Sequence, residues 1–144
     1  MGIVTWASAR CELMPSLEEP FFVGSERLES ILEVVHWLIR LGLVNECLVL
    51  NSTNLAQIAA AHSAQKSFQK KEYLPRWVLF FNIAAYDFLP EERIKRQTED
   101  MLELVQRLGL EAVKVLGGIT ANTFLKWIRH TSDEPYWKLR PATG

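Results

Sequence analysis

Two copies of one four-residue pattern place the strongest constraint on the fold of this chain. Arg-Leu-Gly-Leu occurs at residues 40–43 and again at residues 107–110. Each copy follows an amphipathic stretch with acidic residues near its start, and each leads into an apolar segment typical of a strand. Glycine just after a basic last turn is a common signal for the end of a helix. The repeat therefore predicts two tandem strand–helix–strand units.

These two units give the order β-α-β-β-α-β, which is the ferredoxin-like order of an α+β fold. We expect an antiparallel sheet with the two principal helices on one face. The predicted strands are residues 20–24, 44–50, 76–86 and 110–116. Ser25 is predicted to cap the first principal helix, and Pro90 to open the second. Extra short helices are predicted at 53–64 and 120–129.

The segment 76–86 is apolar on both of its alternating faces, which is typical of a central strand that is covered on both sides. The two principal helices can cover only one face of the sheet. Another domain, a second copy of the chain or a bound apolar ligand could cover the other. A homodimer through the sheet face is therefore one prediction.

Composition excludes several classes of partner. The formal net charge is −1, from 16 basic and 17 acidic residues, so we expect no nucleic-acid partner. No apolar run approaches the ~20 residues of a membrane span, and no basic, then apolar, leader opens the chain. Cys11 and Cys47 are too few for a disulfide framework and are predicted to be reduced thiols. A cytoplasmic location follows as an expectation.

The sequence carries no recognisable motif for a metal, a phosphate or a nucleophile. His36, His62 and His130 are far apart and have no matching acids or cysteines nearby, so we expect no metal site. Nucleophile elbows, P-loops and dinucleotide-binding glycine patterns are absent from the sequence.

Three polar residues lie on or beside apolar strands: Asn51, Asn82 and Tyr86. A buried amide or hydroxyl needs hydrogen-bond partners, which other parts of the chain can supply. Contact with a bound substrate is the alternative interpretation. Under that second interpretation, these three side chains line a substrate site.

The start of the chain resembles a segment of FAD-linked oxidases of the vanillyl-alcohol oxidase and p-cresol methylhydroxylase type. The resemblance rests on Gly-Ile-Val-Thr at residues 2–5 within an apolar run, and on Leu-Met-Pro at 13–15. In that family a similar stretch closes the FAD-binding domain and leads into a cap domain. The cap is an α+β domain whose antiparallel sheet lies over the flavin, which agrees with the order predicted for residues 20–129.

The resemblance implies a division of the chain and a function. Residues 1–15 would be the terminal strand of an upstream FAD-binding domain, 16–130 a ferredoxin-like cap domain, and 131–144 a linker toward a further segment. The parent protein would oxidise an alcohol, a phenol or a hydroxy acid by hydride transfer to FAD, and this part alone would be inactive.

The cofactor contacts implied by the resemblance are backbone groups of Gly2, Ile3 and Val4, with Thr5 as a weaker candidate. The partners implied are the upstream FAD-binding domain and a small-molecule substrate. The alternative function is a stand-alone ferredoxin-like module that dimerises and binds a small ligand, or forms a subunit interface. The two hypotheses differ on residues 2–13, which a stand-alone module would pair within its own sheet.

Overall fold

Six strands and four helices make up the described part of the chain, which in this computed structural model comprises residues 2–9, 14–62 and 74–133. In chain order the elements are β1 (Leu17–Ser25), α1 (Leu28–Arg40), β2 (Glu46–Asn51), α2 (Ser52–His62), β3 (Trp77–Ala85), α3 (Pro90–Arg107), β4 (Ala112–Val113), β5 (Val115–Leu116), β6 (Ile119–Thr120) and α4 (Ala121–Asp133). None of the described helices has both the length and the apolar content that a bilayer crossing requires.

The main sheet has the strand order β2-β3-β1-β4, and all of its neighbouring strands are antiparallel. The β1–β3 ladder is the longest and runs from the pair Leu17–Ala85 to the pair Ser25–Trp77. This order, with α1 and α3 as the two connecting helices, confirms the ferredoxin-like α+β prediction. The predicted strand 110–116 is divided: β4 joins the main sheet, while β5 pairs with β6 in a separate hairpin.

The two Arg-Leu-Gly-Leu copies end their helices with the same geometry. Gly42 and Gly109 have φ angles of 64° and 79°, a conformation that costs residues with a Cβ atom. In the first copy the N–H of Leu43 donates to the carbonyl of Leu38 at 3.0 Å; in the second, the N–H of Leu110 donates to Val105 at 3.1 Å. Both are Schellman ends. The short sequence repeat therefore encodes a real structural repeat.

The start of α1 differs from the prediction that Ser25 caps it. The N-cap residue is Arg27, and no side chain bonds the first turn. Ser25 Oγ instead accepts a hydrogen bond from the N–H of Arg27 at 3.1 Å and closes a local turn. The prediction was wrong because serine makes such turns as readily as it makes caps.

One face of the sheet packs against α1 and α3. α1 and α3 contribute apolar side chains from one face of each helix to this first core, and β1 and β3 contribute every second residue. Its fully buried members include Val23, Ile31, Val34, Leu38, Leu79, Phe81, Ile83, Met101 and Val105. This layer corresponds to the predicted helical face.

The opposite face of the sheet is covered by α2 and α4 of the same chain. Phe124 of α4 is fully buried, and its ring centroid lies 5.4 Å from that of Phe22 and 4.9 Å from that of Phe80. Leu55 and Ala59 of α2 complete this second core. The expectation that another domain, a second copy or a ligand covers this face is wrong, because the two extra helices lie there. A homodimer through that face would need α2 and α4 to move away from it.

The two ends of the described chain differ from the predicted boundaries. Residues 2–9 are exposed and belong to none of the strands, although their alternating pattern is typical of one; residues 10–13 lie outside the described part. At the other end α4 continues to Asp133, so the first residues of the predicted linker 131–144 are helical. The rest of that linker, and residues 63–73 with their lysines, lie outside the described residues.

Gly109→Ala tests the structural repeat. A Cβ atom at this position meets no other atom within 4 Å, so the cost is the left-handed backbone alone. We expect the free energy of unfolding to fall by about 1 kcal/mol, and the same for Gly42→Ala. Urea denaturation measures the change, and Gly2→Ala in the exposed segment is the matched control. Wild-type stability in both variants would contradict the shared geometry.

Candidate functional site

Polar side chains gather at one end of the sheet, where β1 and β2 begin and β3 ends. Asn82 lies at the centre of this polar end, with Pro20 and Glu46 as its neighbours on the two flanking strands. Only 1 % of Asn82 is exposed, and it is the buried polar residue among otherwise apolar core side chains of the described chain. A polar group buried so deeply needs a structural or functional reason.

The pleat of the sheet turns Asn82 toward α4. Alternate residues of β3 share a face, so Asn82 lies on the same side as Phe80, in the layer covered by α2 and α4. Its Nδ2 donates a 3.1 Å hydrogen bond to Oε1 of Glu18 on β1. Its Oδ1 is also buried but has no hydrogen-bond partner. Asn82 therefore presents one satisfied donor and one open acceptor.

Arg129 of α4 forms a two-pronged ion pair with Glu18. Its Nη1 donates to Oε2 of Glu18 at 2.7 Å, and its Nη2 donates to Oε1. A second carboxylate, that of Glu46, lies 3.9 Å from Nη2 of Arg129. Fork-shaped pairing of this kind is both strong and directional. The pair ties the last turns of α4 to the beginning of β1.

The ion pair determines the charge states at this end of the sheet. The hydrogen bonds from Arg129, helped by the one from Asn82, hold the pKa of Glu18 below its ordinary value although partial burial opposes them. The same pair raises the pKa of Arg129. Glu18 is thus ionised, and both of its oxygens are occupied. It is poorly suited to general-base catalysis, which needs a carboxylate with a raised pKa and an accessible oxygen.

A cavity of about 220 Å³ lies at the same end of the sheet, next to the loop between α1 and β2. Tyr86 lines it and is oriented by Asn45, whose Nδ2 donates to the Tyr86 hydroxyl oxygen at 3.1 Å. The Oδ1 of Asn45 in turn accepts from the N–H of Ala84 at 3.3 Å. Arg93 and Gln97 of α3 line the remaining wall. The cavity therefore collects polar groups from three separate elements.

Two larger grooves of about 460 and 520 Å³ lie beside α3, the first along its outer side and the second between its last turns and the start of β4. Exposed charged side chains such as Glu92, Lys95 and Glu99 line the first of them. No buried polar group converges on either groove among their lining residues. Size alone does not make a binding site, and the convergent groups favour the smaller cavity.

Of the three predicted substrate-lining residues, the structure brings two to this end of the sheet. Asn82 is buried on the α4 side, and Tyr86 lines the cavity. Asn51 lies at the far end of β2, about 17 Å from Glu46 at the ordinary rise per residue. Its Oδ1 accepts from the N–H of Asn54 at 2.7 Å and caps α2. This arrangement fits the structural interpretation of Asn51.

The predicted cofactor-contact residues lie apart from both features. Ile3 and Val4 are 92 % and 81 % exposed. No backbone hydrogen bond joins Gly2, Ile3, Val4 or Thr5 to another described residue. No group of three side chains that could hold a metal ion occurs within the described ranges. Burial raises the pKa of the Cys47 thiol, so this cysteine is not activated; Cys11 lies outside the described residues.

Sequence reasoning missed Glu18, Arg129, Asn45 and Gln97. The first two are 111 residues apart, and their pairing depends on the rotation of α4 about its axis, which no local pattern reports. One signal was present. Glu18 lies two residues before the predicted strand 20–24. It therefore shares a face with Pro20 and Phe22 and points toward the second core.

The chain matches no protein-family model, and no curated protein or solved structure matches it either. The resemblance of residues 2–15 to FAD-linked oxidases therefore stays a prediction from the sequence.

Glu18→Gln tests the ion pair through its dependence on pH. Because folding lowers the pKa of Glu18, the pair contributes stability above the ordinary carboxyl pKa of 4.5, and this contribution is lost as the pH falls through the lowered value. We expect the variant to lose about 1 kcal/mol of unfolding free energy at pH 7. The gap to the wild type should close as the pH falls below 4.5.

Denaturant titrations across pH measure that gap, and Glu103→Gln is the control. Glu103 pairs with Arg107 at 2.6 Å on an exposed helix surface, so its loss should cost less than about 0.5 kcal/mol at any pH. A pH-independent loss in Glu18→Gln would contradict the account of the pair.

Proposed function

We propose that this domain is the substrate-binding cap of an FAD-dependent oxidoreductase that oxidises an alcohol, a phenol or a hydroxy acid. The observation that carries the proposal is the exposure of an apolar, alternating segment. Ile3, Val4 and Trp6 are 92 %, 81 % and 83 % exposed. An apolar run of this kind is rarely left in water without a partner.

The ferredoxin-like sheet is complete without this segment, which supports a partner elsewhere. Its central strands, β1 and β3, are paired on both sides, and both faces of the sheet are covered by helices of the chain. Residues 2–9 are not needed for that core. Their exposed, unpaired backbone suits a strand that joins the sheet of a neighbouring FAD-binding domain, as in the family that they resemble.

The residues present are compatible with the proposed cofactor contact. Gly2 has no atom within 4 Å of the position of a Cβ, so the backbone there is open to close approach. The backbone groups of Gly2, Ile3 and Val4 would hold FAD, with Thr5 beside them, and FAD would supply the acceptor for the substrate hydride. As the resemblance implies, this part of the protein is proposed to be inactive alone.

The proposed substrate-facing residues are Asn82 and Tyr86, with Asn51 as a third candidate that now has a structural role. Asn82 has a buried oxygen without a partner, and the Tyr86 hydroxyl accepts from Asn45 and can still donate to a ligand. A cytoplasmic location and an upstream FAD-binding domain are parts of the same proposal.

A stand-alone or subunit-interface module is the second candidate function. It is favoured by apolar side chains on the outer side of α1 and just after it: Leu32, Ile39 and Leu41 are 51 %, 61 % and 55 % exposed. Such a surface fits contact with another subunit.

Flavin content distinguishes the two candidates. The measurement is the absorbance spectrum of the purified protein, made from the whole open reading frame that contains this chain. We expect a yellow protein, with ~200 residues upstream that include a glycine-rich pyrophosphate loop, as typical domain size suggests. A colourless full-length protein without flavin absorbance would contradict the flavin proposal, and the stand-alone or subunit-interface module would be the remaining candidate function.

A further inference from the structure

The flavin proposal uses the cavity beside Tyr86 only through that tyrosine, but the cavity also brings Asn45, Arg93 and Gln97 together. It is bounded by the loop between α1 and β2, by the end of β3 and by the second and third turns of α3. About 220 Å³ is room for a small organic molecule and too little for a large cofactor. Gly42, Val44, Ala84 and Ala85 also line it.

The hydrogen bonds of Asn45 orient Tyr86 toward a ligand. Asn45 is fixed because its Oδ1 accepts from a backbone N–H and its Nδ2 donates to the Tyr86 oxygen. The Tyr86 oxygen thus receives one hydrogen bond, and its own proton remains available to donate. Tyr86 therefore presents a hydrogen-bond donor at the cavity.

Arg93 adds a positive charge to the same wall. Its guanidinium lies 5.5 Å from the centre of the Phe88 ring, which positions it without neutralising it. No carboxylate of the described residues lies within ion-pair distance of Arg93, and none lines the cavity. Arg93 is exposed and has no salt-bridge partner among the described residues. An arginine of this kind at the wall of a cavity favours an anion, and its fork of N–H groups matches a carboxylate.

Gln97 supplies an acceptor that no part of the described chain satisfies. It is four residues from Arg93, so the two side chains lie on one face of α3. Its Oε1 is buried and has no hydrogen-bond partner. A buried acceptor without a donor is costly, and a rotation of the Gln97 side chain, which lines the cavity, would bring this oxygen to a ligand hydroxyl and relieve that cost. A bare anion carries no proton to donate to this oxygen.

The geometry points to a binding site for a small hydroxycarboxylate in this cavity. The ligand carboxylate binds Arg93 and the Tyr86 hydroxyl, and its hydroxyl group donates to Oε1 of Gln97. A cation is disfavoured because no acidic side chain lines the wall, and a fully ionised phosphate because Gln97 presents it with an acceptor. The site is independent of flavin, since all of its groups belong to this chain.

Three matched probes test the recognition of the ligand carboxylate and of the ligand hydroxyl separately. Lactate carries both groups, propionate lacks the hydroxyl, and propane-1,2-diol lacks the carboxylate. The measurement is a titration of the ¹⁵N-labelled chain followed in two-dimensional NMR spectra, with inorganic phosphate as a fourth arm. We expect saturable shifts of the Gln97 and Asn45 side-chain amides with lactate, in the millimolar range for so small a ligand. Propionate should bind about fivefold more weakly, and the diol should not bind.

Two variants test the assigned roles, and the same spectra show that each is folded. Arg93→Gln should weaken lactate and propionate alike by about tenfold. Gln97→Leu should leave propionate unchanged and abolish the preference for lactate. Arg96→Gln is the matched control, because this arginine is on the same helix but does not line the cavity; lactate should bind it as it binds the wild type.

Several outcomes would overturn the assignment. They are equal binding of lactate by Arg93→Gln and the wild type, an unchanged lactate preference in Gln97→Leu, phosphate binding as tight as that of lactate, and no saturable shift with any probe. None of them bears on flavin content, so the two proposals fail separately.

Discussion

The burial of the central strand β3 determines how the other elements pack. Every residue from Val78 to Ala85 is buried, so both of its faces must be covered. The chain meets this demand with two layers of helices, α1 and α3 on one face and α2 and α4 on the other. The contact of Phe124 with Phe22 and Phe80 closes the second layer.

Truncating a buried phenylalanine to alanine typically costs about 3–5 kcal/mol of unfolding free energy, against about 1 kcal/mol for the loss of a half-exposed ion pair. Packing therefore holds α4 in place, and the Arg129–Glu18 pair sets its orientation.

The polar groups of the candidate site lie at one end of the sheet. Because apolar side chains of the helices cover the centres of the strands on both faces, polar groups gather where β1 and β2 begin and β3 ends. On one side of the sheet Asn82 is tied to Glu18 and keeps an unsatisfied oxygen. On the other side Tyr86, Arg93 and Gln97 converge on a small cavity. Asn82 Oδ1 and Gln97 Oε1 are buried acceptors without partners at this end, and such groups are candidates for ligand contact.

Local signals in the sequence predicted much of the fold. Glycines after the two helices, and apolar residues at helical spacing, predicted both strand–helix–strand units, and the left-handed Gly42 and Gly109 confirm them. The short helices predicted at 53–64 and 120–129 correspond to α2 and α4, but their position over the second face was not predicted. Amphipathicity indicates that a helix buries one side and does not say against what. The Glu18–Arg129 pair and the Asn45–Tyr86 bond were missed for a related reason: both depend on strand register and helix rotation, which tertiary packing decides.

The most direct test of this account is the distance between aromatic rings in solution. Nuclear Overhauser effects in the full chain report contacts between ring protons of Phe124 and those of Phe22 and Phe80, whose ring centroids lie 5.4 and 4.9 Å from it. We predict strong effects to both rings. Spectra in which residues 121–133 are helical, but the Phe124 ring shows no nuclear Overhauser effect to Phe22 or Phe80, would contradict the packing of α4 on the sheet. The second face of the sheet would then need another cover, such as another domain, a second copy of the chain or a ligand, as the sequence alone had suggested.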